Sequence, residues 1–505
     1  MKFAKPSNFV LELTVFVCGA LVMVYEIIGS RLLSPFIGTS TYVWTSLIGV
    51  ILAALSLGYW LGGKTADRKP DIKVLAAVIF GAGGFVSVTI LFKDLILALI
   101  ASAPFGLEIK SLFAALLLFA PASVLLGFVT PYAVKLKLSK FEDAGKTVGR
   151  LYALSTIGSI FGTFAAGFLL IPFVGSVRTL YLIGAVLIGL SLLLAPFALT
   201  RTNLSILILF FFGITATELQ NYYLFKAIAL HDIDTEYNRV RIFDTKDEES
   251  GRQVRAIAID PYFVQSKMYL DSDELASDYI SFYHLIRHFK PDFQKTLLIG
   301  GAGYSFPKDY LKKYPEKQID VVEIDPQMTE IAKKHFRLTE NVNLKIFHED
   351  GRIFLNNAAP AQYDAVLLDA FSSLFSIPFQ LTTLEAVREI DRALKDDGVV
   401  IFNVGGALAG RSSGFLRAEI ATYQKVFSQV YLFKVKPEKP DDEVQNFIIA
   451  ALKSAKPADL DTADTELANL LKNRQSELSL GNPQLLTDDL APVEYFNSFA
   501  HQPRP

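Results

Sequence analysis

Nearly all the long apolar runs of this chain lie before residue 225, and that asymmetry governs what it can fold into. They fall at 10–30, 43–63, 73–92, 112–132, 148–173, 177–199 and 203–222. Most reach the ~20 residues a helix needs to cross a hydrocarbon core. The first part therefore predicts a domain of six to seven transmembrane helices. After residue 230, short apolar runs alternate with charged stretches such as Asp244–Arg252, the texture of a soluble mixed domain. Charged residues make up only 20% of the chain, against about 25% in an average soluble domain. A formal charge of -2 excludes wrapping of nucleic acid by a broad basic surface. The one cysteine, Cys18, allows no internal disulfide and is too little thiol for a zinc or iron–sulfur site. No metal is expected. The first run lacks a small-residue cleavage site and leads through Glu26 and Arg31 into the next span, so it is not a cleavable signal.

Lysine and arginine placement orients the spans. The connection 64–73 carries four basic residues and 135–150 carries five, whereas 31–42 offers Arg31 and 93–111 offers Lys93 and Lys110. Both basic connections are assigned to the cytoplasm, with the N-terminus. Three more full spans would place the soluble part outside. Its expected nucleotide-type cofactor argues for the cytoplasm, so 203–222, with Glu218, Gln220 and Asn221 at its end, is expected to run along the interface rather than cross. Gly58–Lys69 resembles the loop between helices two and three of the major facilitator superfamily over one short stretch. Close helix packing followed by a basic loop explains it equally well. Gly158 and Gly162 form a small-xxx-small helix contact. Glu12 and Glu26 need partners or an interface at membrane depth, and Arg31 is the expected partner of Glu26.

In the soluble part, a strand at Thr296–Ile299 runs into Gly300, Gly301 and Gly303; a helix follows, then a strand over Ile319–Ile324 containing Glu323. Glycines let backbone approach a ligand closely. A carboxylate 20 residues beyond Gly303 suits two ribose hydroxyls. Asp350-Gly351 ends a third strand, where Asp350 suits an adenine amino group, and Asp369 ends a fourth, Tyr363–Asp369. A strand at 399–404 follows a helix at 383–395. This alternation predicts a doubly wound, Rossmann-like α/β sheet of methyltransferase type behind a small β segment. The first loop is not Gly-x-Gly-x-x-Gly, which favours an adenosyl sulfonium over NAD. The expected divisions are 1–225 (membrane domain), 226–292 (small β-rich part) and 293–505 (adenosyl-binding catalytic domain).

These residues, with Thr-Glu-Tyr-Asn-Arg-Val-Arg-Ile (235–242), Gln265, Tyr283-His284, Val-Glu-Ile-Asp (322–325) and Leu-Asp-Ala-Phe-Ser-Ser (368–373), resemble the spermidine/spermine synthases. The whole chain resembles the bacterial subgroup with an N-terminal membrane region, through Gly-Gly-x-Gly-Tyr-x-Phe-Pro and the late Leu-Thr-Asp-Asp-Leu-Ala-Pro-Val-Glu (486–494). The resemblance implies transfer of an aminopropyl group from decarboxylated S-adenosylmethionine to an amine in polyamine biosynthesis. It implies Asp369 as the catalytic carboxylate and Tyr283 as a residue orienting the amine. Asn238, Gln265 and His284 would line the cofactor site, with Glu323 on the ribose and Asp350 on the adenine.

The chain departs from that pattern at Gly303, where the family usually has aspartate, at Ser372, where a second acid is usual, followed by Leu374 and Phe375, and at Leu285. These losses weaken the case for a dicationic acceptor. Two alternatives therefore stay open: an S-adenosylmethionine-dependent methyltransferase, and an adenosyl-binding transporter or sensor without turnover. Structural roles also compete: a helix cap for Asp369, packing for Tyr283 and His284 in the helical run 276–289, backbone support for Gln265, and turns for Asn238 and Asp350-Gly351. Asp488, Asp489 and Glu494 read as turn and surface residues. The expected partners are a small amine and the lipid bilayer, with a homodimer left open. The expected location is the bacterial plasma membrane with the soluble part cytoplasmic.

Overall fold

The structure is a computed structural model that describes residues 8–38, 40–138, 144–195, 201–259, 264–370, 377–475 and 480–497. The side chains of 201–203 are outside that description. Ser372, Leu374 and Phe375 also lie outside the described residues. The chain divides into two compact units, Met1–Arg239 and Val240–Pro505.

The first unit is helical: α1 (Asn8–Ile37), α2 (Thr41–Arg68), α3 (Ile72–Ser102), α4 (Leu107–Leu118), α5 (Ala120–Lys137), α6 (Ala144–Ala165), α7 (Ile171–Val174), α8 (Ser176–Leu194) and α9 (Arg201–Ile228), before strand β1 (His231–Asp234). A π-helical turn at Ala166–Leu170 joins α6 to α7. Among the described residues, six helices are long and apolar enough to cross a membrane, or seven if α4 and α5, bent by 54°, form one span. Large apolar side chains such as Phe161, Phe164, Phe168, Phe211 and Phe212 are exposed on the outside of this unit, an apolar surface of the kind that marks an interaction site.

Small residues set the helix contacts. A Cβ on Gly158 would stand 2.1 Å from the Phe16 carbonyl oxygen, and one on Gly162 2.2 Å from that of Ala20. Only glycine permits α6 to lie this close to α1. Glu12 is paired with Lys137 and, at 2.8 Å, with Arg150. Arg31 donates to the Glu236 carbonyl at 2.6 Å.

The segment 203–222 lies within helix α9, which packs on the other helices of this unit. In α9, Thr217 Oγ1 reaches the Ile90 carbonyl at 3.5 Å, and Ile206 lies against Gly84. Helix α9 thus packs along α3 and runs in the same direction. Its polar end, Glu218, Gln220 and Asn221, is exposed, with Tyr181 donating to Glu218 at 3.3 Å.

The second unit opens with an antiparallel meander, β2 (Arg239–Lys246), β3 (Gln253–Ala258) and β4 (Val264–Tyr269). A helical run follows, α10 (Asp278–Ser281), a 3-10 turn at Phe282–Leu285, and α11 (Ile286–Phe289). Then comes the alternating part: β5 (Lys295–Ile299), α12 (Ser305–Lys313), β6 (Gln318–Val322), α13 (Pro326–His335), β7 (Leu344–Phe347), α14 (Gly351–Asn357), β8 (Tyr363–Leu368), α15 (Leu384–Ala393), β9 (Leu394–Gly406), α16 (Gly414–Tyr423), β10 (Gln429–Lys434), β11 (Gln445–Leu452), α17 (Thr465–Leu471), β12 (Arg474–Gln475) and α18 (Val493–Asn497).

The large sheet has the order β12-β10-β11-β9-β8-β5-β6-β7. Strands β7, β6, β5, β8 and β9 are parallel, whereas β11, β10 and β12 pair antiparallel. This is the expected mixed α/β sheet, with an antiparallel edge that alternation alone did not foretell. Alternate residues of one strand feed opposite cores. Leu368 and Phe402 enter one, Leu367 and Ile401 the other, so both faces are covered. Strand order reverses between β5 and β8, and the crevice beyond their carboxyl ends is where such sheets take ligands.

Candidate active site

Strands β5 and β8 run in register from Thr296↔Ala365 to Ile299↔Leu368. Gly300 and Asp369 therefore leave the sheet side by side, and the Asp369 amide donates to the Ile299 carbonyl at 2.9 Å. Gly300 has φ +101, and a Cβ there would stand 2.3 Å from the Asp369 carbonyl oxygen. Ala302 and Tyr304 also take positive φ, +43 and +53. Left-handed conformations at non-glycine residues cost energy and cluster at ligand loops. Here they turn successive amides inward as a small nest.

Glu323 fills that nest. Its Oε2 accepts from the amides of Gly301 at 2.8 Å and Ala302 at 3.1 Å, and its Oε1 from Asp325 at 3.0 Å. Burial pushes its pKa up against these three bonds. The carboxylate expected on a ribose thus also ties the glycine loop to β6. Tyr304 anchors the same loop from the other side, its hydroxyl 2.7 Å from Thr329 Oγ1. Asp350 caps α14, with Oδ1 accepting from the amides of Arg352 at 2.8 Å and Ile353 at 3.1 Å. Gly351 packs so closely that a Cβ would stand 2.7 Å from Ile299 and 3.5 Å from Leu381. Leu381 in turn lines an apolar pocket with Leu368, Ala370, Pro378, Thr382 and Phe402. Gly300, Asp350 and Asp369 all follow the carboxyl ends of parallel strands, β5, β7 and β8.

Asp369 is held from two sides. Tyr279 donates to Oδ2 at 3.1 Å, and Asn403 Nδ2 donates to Oδ1 at 3.1 Å. Asn446 orients Asn403 by donating to its Oδ1 at 2.8 Å. Tyr283, fully buried, donates to the Leu368 carbonyl at 3.3 Å and meets Tyr279 edge to face at 6.2 Å. Burial pushes the Asp369 carboxyl up to about 6, opposed by hydrogen bonds from Asn403, Tyr279 and Tyr283. The phenols of Tyr279 and Tyr283 are driven well above their usual range by burial and by the Asp369 charge. They remain protonated donors. A carboxylate with pKa near 6, between fixed donors, is suited to taking a proton from an amine at neutral pH.

Three expected site residues make structural bonds. His284 has Nε2 2.7 Å from Asp309 Oδ2 and Nδ1 2.9 Å from the Tyr314 hydroxyl. Both ring nitrogens are engaged, so it fastens α12 to the 278–289 helical run rather than facing a ligand. Gln265 accepts from the Ile259 amide at 2.8 Å and supports backbone. Asn238 closes a turn, its backbone amide donating to Thr235 Oγ1 at 2.8 Å.

Tyr279, Asn403 and Asn446 were not singled out in the sequence. Two signals pointed to them. Tyr279 lies four residues before Tyr283, on the same helical face. Asn403 interrupts the apolar strand Val399–Val404, where an amide needs a partner. Gly303, where aspartate was expected, has no room for one: a Cβ would stand 2.5 Å from Ser266 Oγ.

Residues 280–438 match the profile of the spermine/spermidine synthase domain. A polyamine aminopropyltransferase of Vibrio vulnificus is 30% identical over 217 residues, 41% of this chain and 70% of that one. Polyamine aminopropyltransferase 2 of Aquifex aeolicus is 24% identical over 417 residues, 78% of this chain and 79% of that one, so the likeness extends into the helical unit. Among solved structures, a probable spermidine synthase from Corynebacterium glutamicum overlays with a TM-score of 0.41 at 20% identity, covering 55% of this chain and 96% of that one.

Proposed function

Because this chain belongs to the spermidine/spermine synthase family of polyamine aminopropyltransferases, and so is a transferase, we propose that its α/β unit moves an aminopropyl group from decarboxylated S-adenosylmethionine to an amine. The observation that carries this reading is the clamped Asp369 at the mouth of the glycine loop. The amine nitrogen attacks the methylene beside the sulfonium. The new C–N bond forms as the C–S bond breaks, its electron pair neutralises sulfur, and methylthioadenosine leaves. The proton lost by nitrogen passes to Asp369. Sulfonium is a good leaving group, so the protein's task is to aim the nitrogen and keep it unprotonated. Tyr283 and Tyr279 fix the carboxylate for that purpose.

In this reading, the adenosyl group lies in the crevice between β5 and β8. The glycine loop approaches its sulfonium end, Glu323 serves the ribose and Asp350 the adenine amino group. Carboxylates usual in the family are missing at Gly303, Leu285 and Ser372, and Ser372 with the apolar Leu374 and Phe375 fits an amine less cationic than a diamine at its far end.

The helical unit, with outward phenylalanines on long apolar helices, fits a multi-pass anchor in a bacterial plasma membrane. The working division is an anchor over 1–225, a small β-rich part over 226–292 and a catalytic part over 293–505. Mass spectrometry of products formed with decarboxylated and ordinary S-adenosylmethionine tests the reaction. Methylthioadenosine with an aminopropylated amine supports it, and S-adenosylhomocysteine with a methylated product contradicts it.

A further inference from the structure

We propose that the helical unit crosses the bilayer seven times, with the Glu12 end in the cytoplasm and the α/β unit on the opposite face. This rests on the membrane reading above and replaces the cytoplasmic placement expected from the sequence.

One end of the unit gathers the starts of α1, α3 and α6 with the ends of α2 and α5. Glu12 bonds Lys137 and Arg150, Lys135 bonds Asp67 at 2.7 Å, and the Asp71 amide donates to the Tyr132 hydroxyl at 3.0 Å. The bent pair α4–α5 therefore spans the unit instead of turning back. It begins beside the end of α3, where Lys110 donates to the Ala101 carbonyl at 2.7 Å, and finishes beside the start of α3 at Asp71.

Helix α8 ends at the Glu12 side, with Ser191 donating to the Ala76 carbonyl at 2.7 Å near the start of α3. Helix α9 then runs parallel to α3, away from that side. Its apolar stretch Leu204–Ile228 has 25 residues, about 37 Å at 1.5 Å per residue, enough for a ~30 Å core. The chain leaves the unit at the far end. There Asp234 accepts from the Ser176 amide at 2.8 Å and hydroxyl at 2.9 Å, at the start of α8, and Glu236 accepts from Arg31 near the end of α1. Seven passes separate Glu12 from Glu236.

An odd number of passes puts the two ends on opposite faces. Charge gives the direction: connections 64–73 and 135–150 carry nine lysines and arginines, whereas 31–42, 93–111 and 174–178 carry four. The excess marks the cytoplasmic side. Catalysis on the other face needs its adenosyl donor delivered there, so a transport step must precede it.

Cysteine labelling of the full-length chain in spheroplasts tests this. In a Cys18→Ser background, exposed positions are changed singly, Lys146→Cys at the basic end and Lys456→Cys in the α/β unit. A membrane-impermeant maleimide should label Lys456→Cys in intact spheroplasts and Lys146→Cys only after lysis. Labelling of both or neither in intact spheroplasts would overturn the seven passes, and the reversed pattern would overturn the orientation. Release of the chain by alkaline washing would instead remove the membrane reading, while product analysis judges the transferase separately.

Discussion

The hydroxyl of Tyr279 donates to Oδ2 of Asp369 across 3.1 Å, while Asn403 occupies the other carboxylate oxygen. Both bonds favour the ionised form, against a burial that pushes its pKa up to about 6. Loss of one bond must therefore raise that pKa further. A hydrogen bond to a charged group contributes about 1.5–3 kcal/mol, or roughly one to two pH units at 1.36 kcal/mol each. Tyr279→Phe should move the acid limb of the kcat/KM profile upward by about one unit. Activity then falls more at pH 6 than at pH 8.5. A limb that stays in place would show that Tyr279 does not govern the base.

Glu323 accepts from three backbone amides. Glu323→Gln keeps the shape but turns an amide N–H₂ toward one set of donors. Adenosyl-donor affinity should fall by about 10- to 100-fold, since each charge-assisted bond is worth about 1.5–3 kcal/mol before water compensates. Hydrogen exchange at 300–304 should quicken as well. Calorimetry with unchanged affinity would refute the ribose assignment, even if exchange changes.

Gly303 lies against Ser266 and Phe336. Gly303→Ala forces its Cβ onto Ser266 Oγ, and such overpacking typically costs about 1–3 kcal/mol. Ser266→Gly should restore most of that loss in the double variant, as contacting residues are coupled. Thermal unfolding of the four proteins checks the cycle. Additive losses would mean that another contact excludes the side chain.

The strands and the glycine loop were readable because each leaves a local mark. Thr296–Ile299, Tyr363–Leu368 and Val399–Val404 are apolar runs, Gly300 demands positive φ, and Glu323 and Asp350 follow strands at fixed steps. What escaped was set by distant packing. The Tyr279–Asp369 bond joins residues 90 apart, and Asn403 reaches Asp369 across 34. His284 read as a ligand by its place beside Tyr283, yet Asp309 and Tyr314 claim it from α12 and beyond. The antiparallel edge formed by β10–β12 follows from strand pairing, which apolar periodicity does not encode. For 203–222, the packing of α9 along α3 through Ile206 and Thr217 joins distant residues that the polar end gave no sign of.

The central claim is that Asp369 takes the amine proton as nitrogen displaces sulfur, and the most direct measurement is single-turnover kinetics of Asp369→Asn with decarboxylated S-adenosylmethionine and an amine. The substitution keeps size and much of the hydrogen bonding with Tyr279 and Asn403 but removes charge and basicity. A general base contributes typically about 10²–10⁴-fold. The account predicts a rate lower by that factor, with adenosyl binding by calorimetry retained. Turnover of Asp369→Asn at the wild-type rate would contradict it.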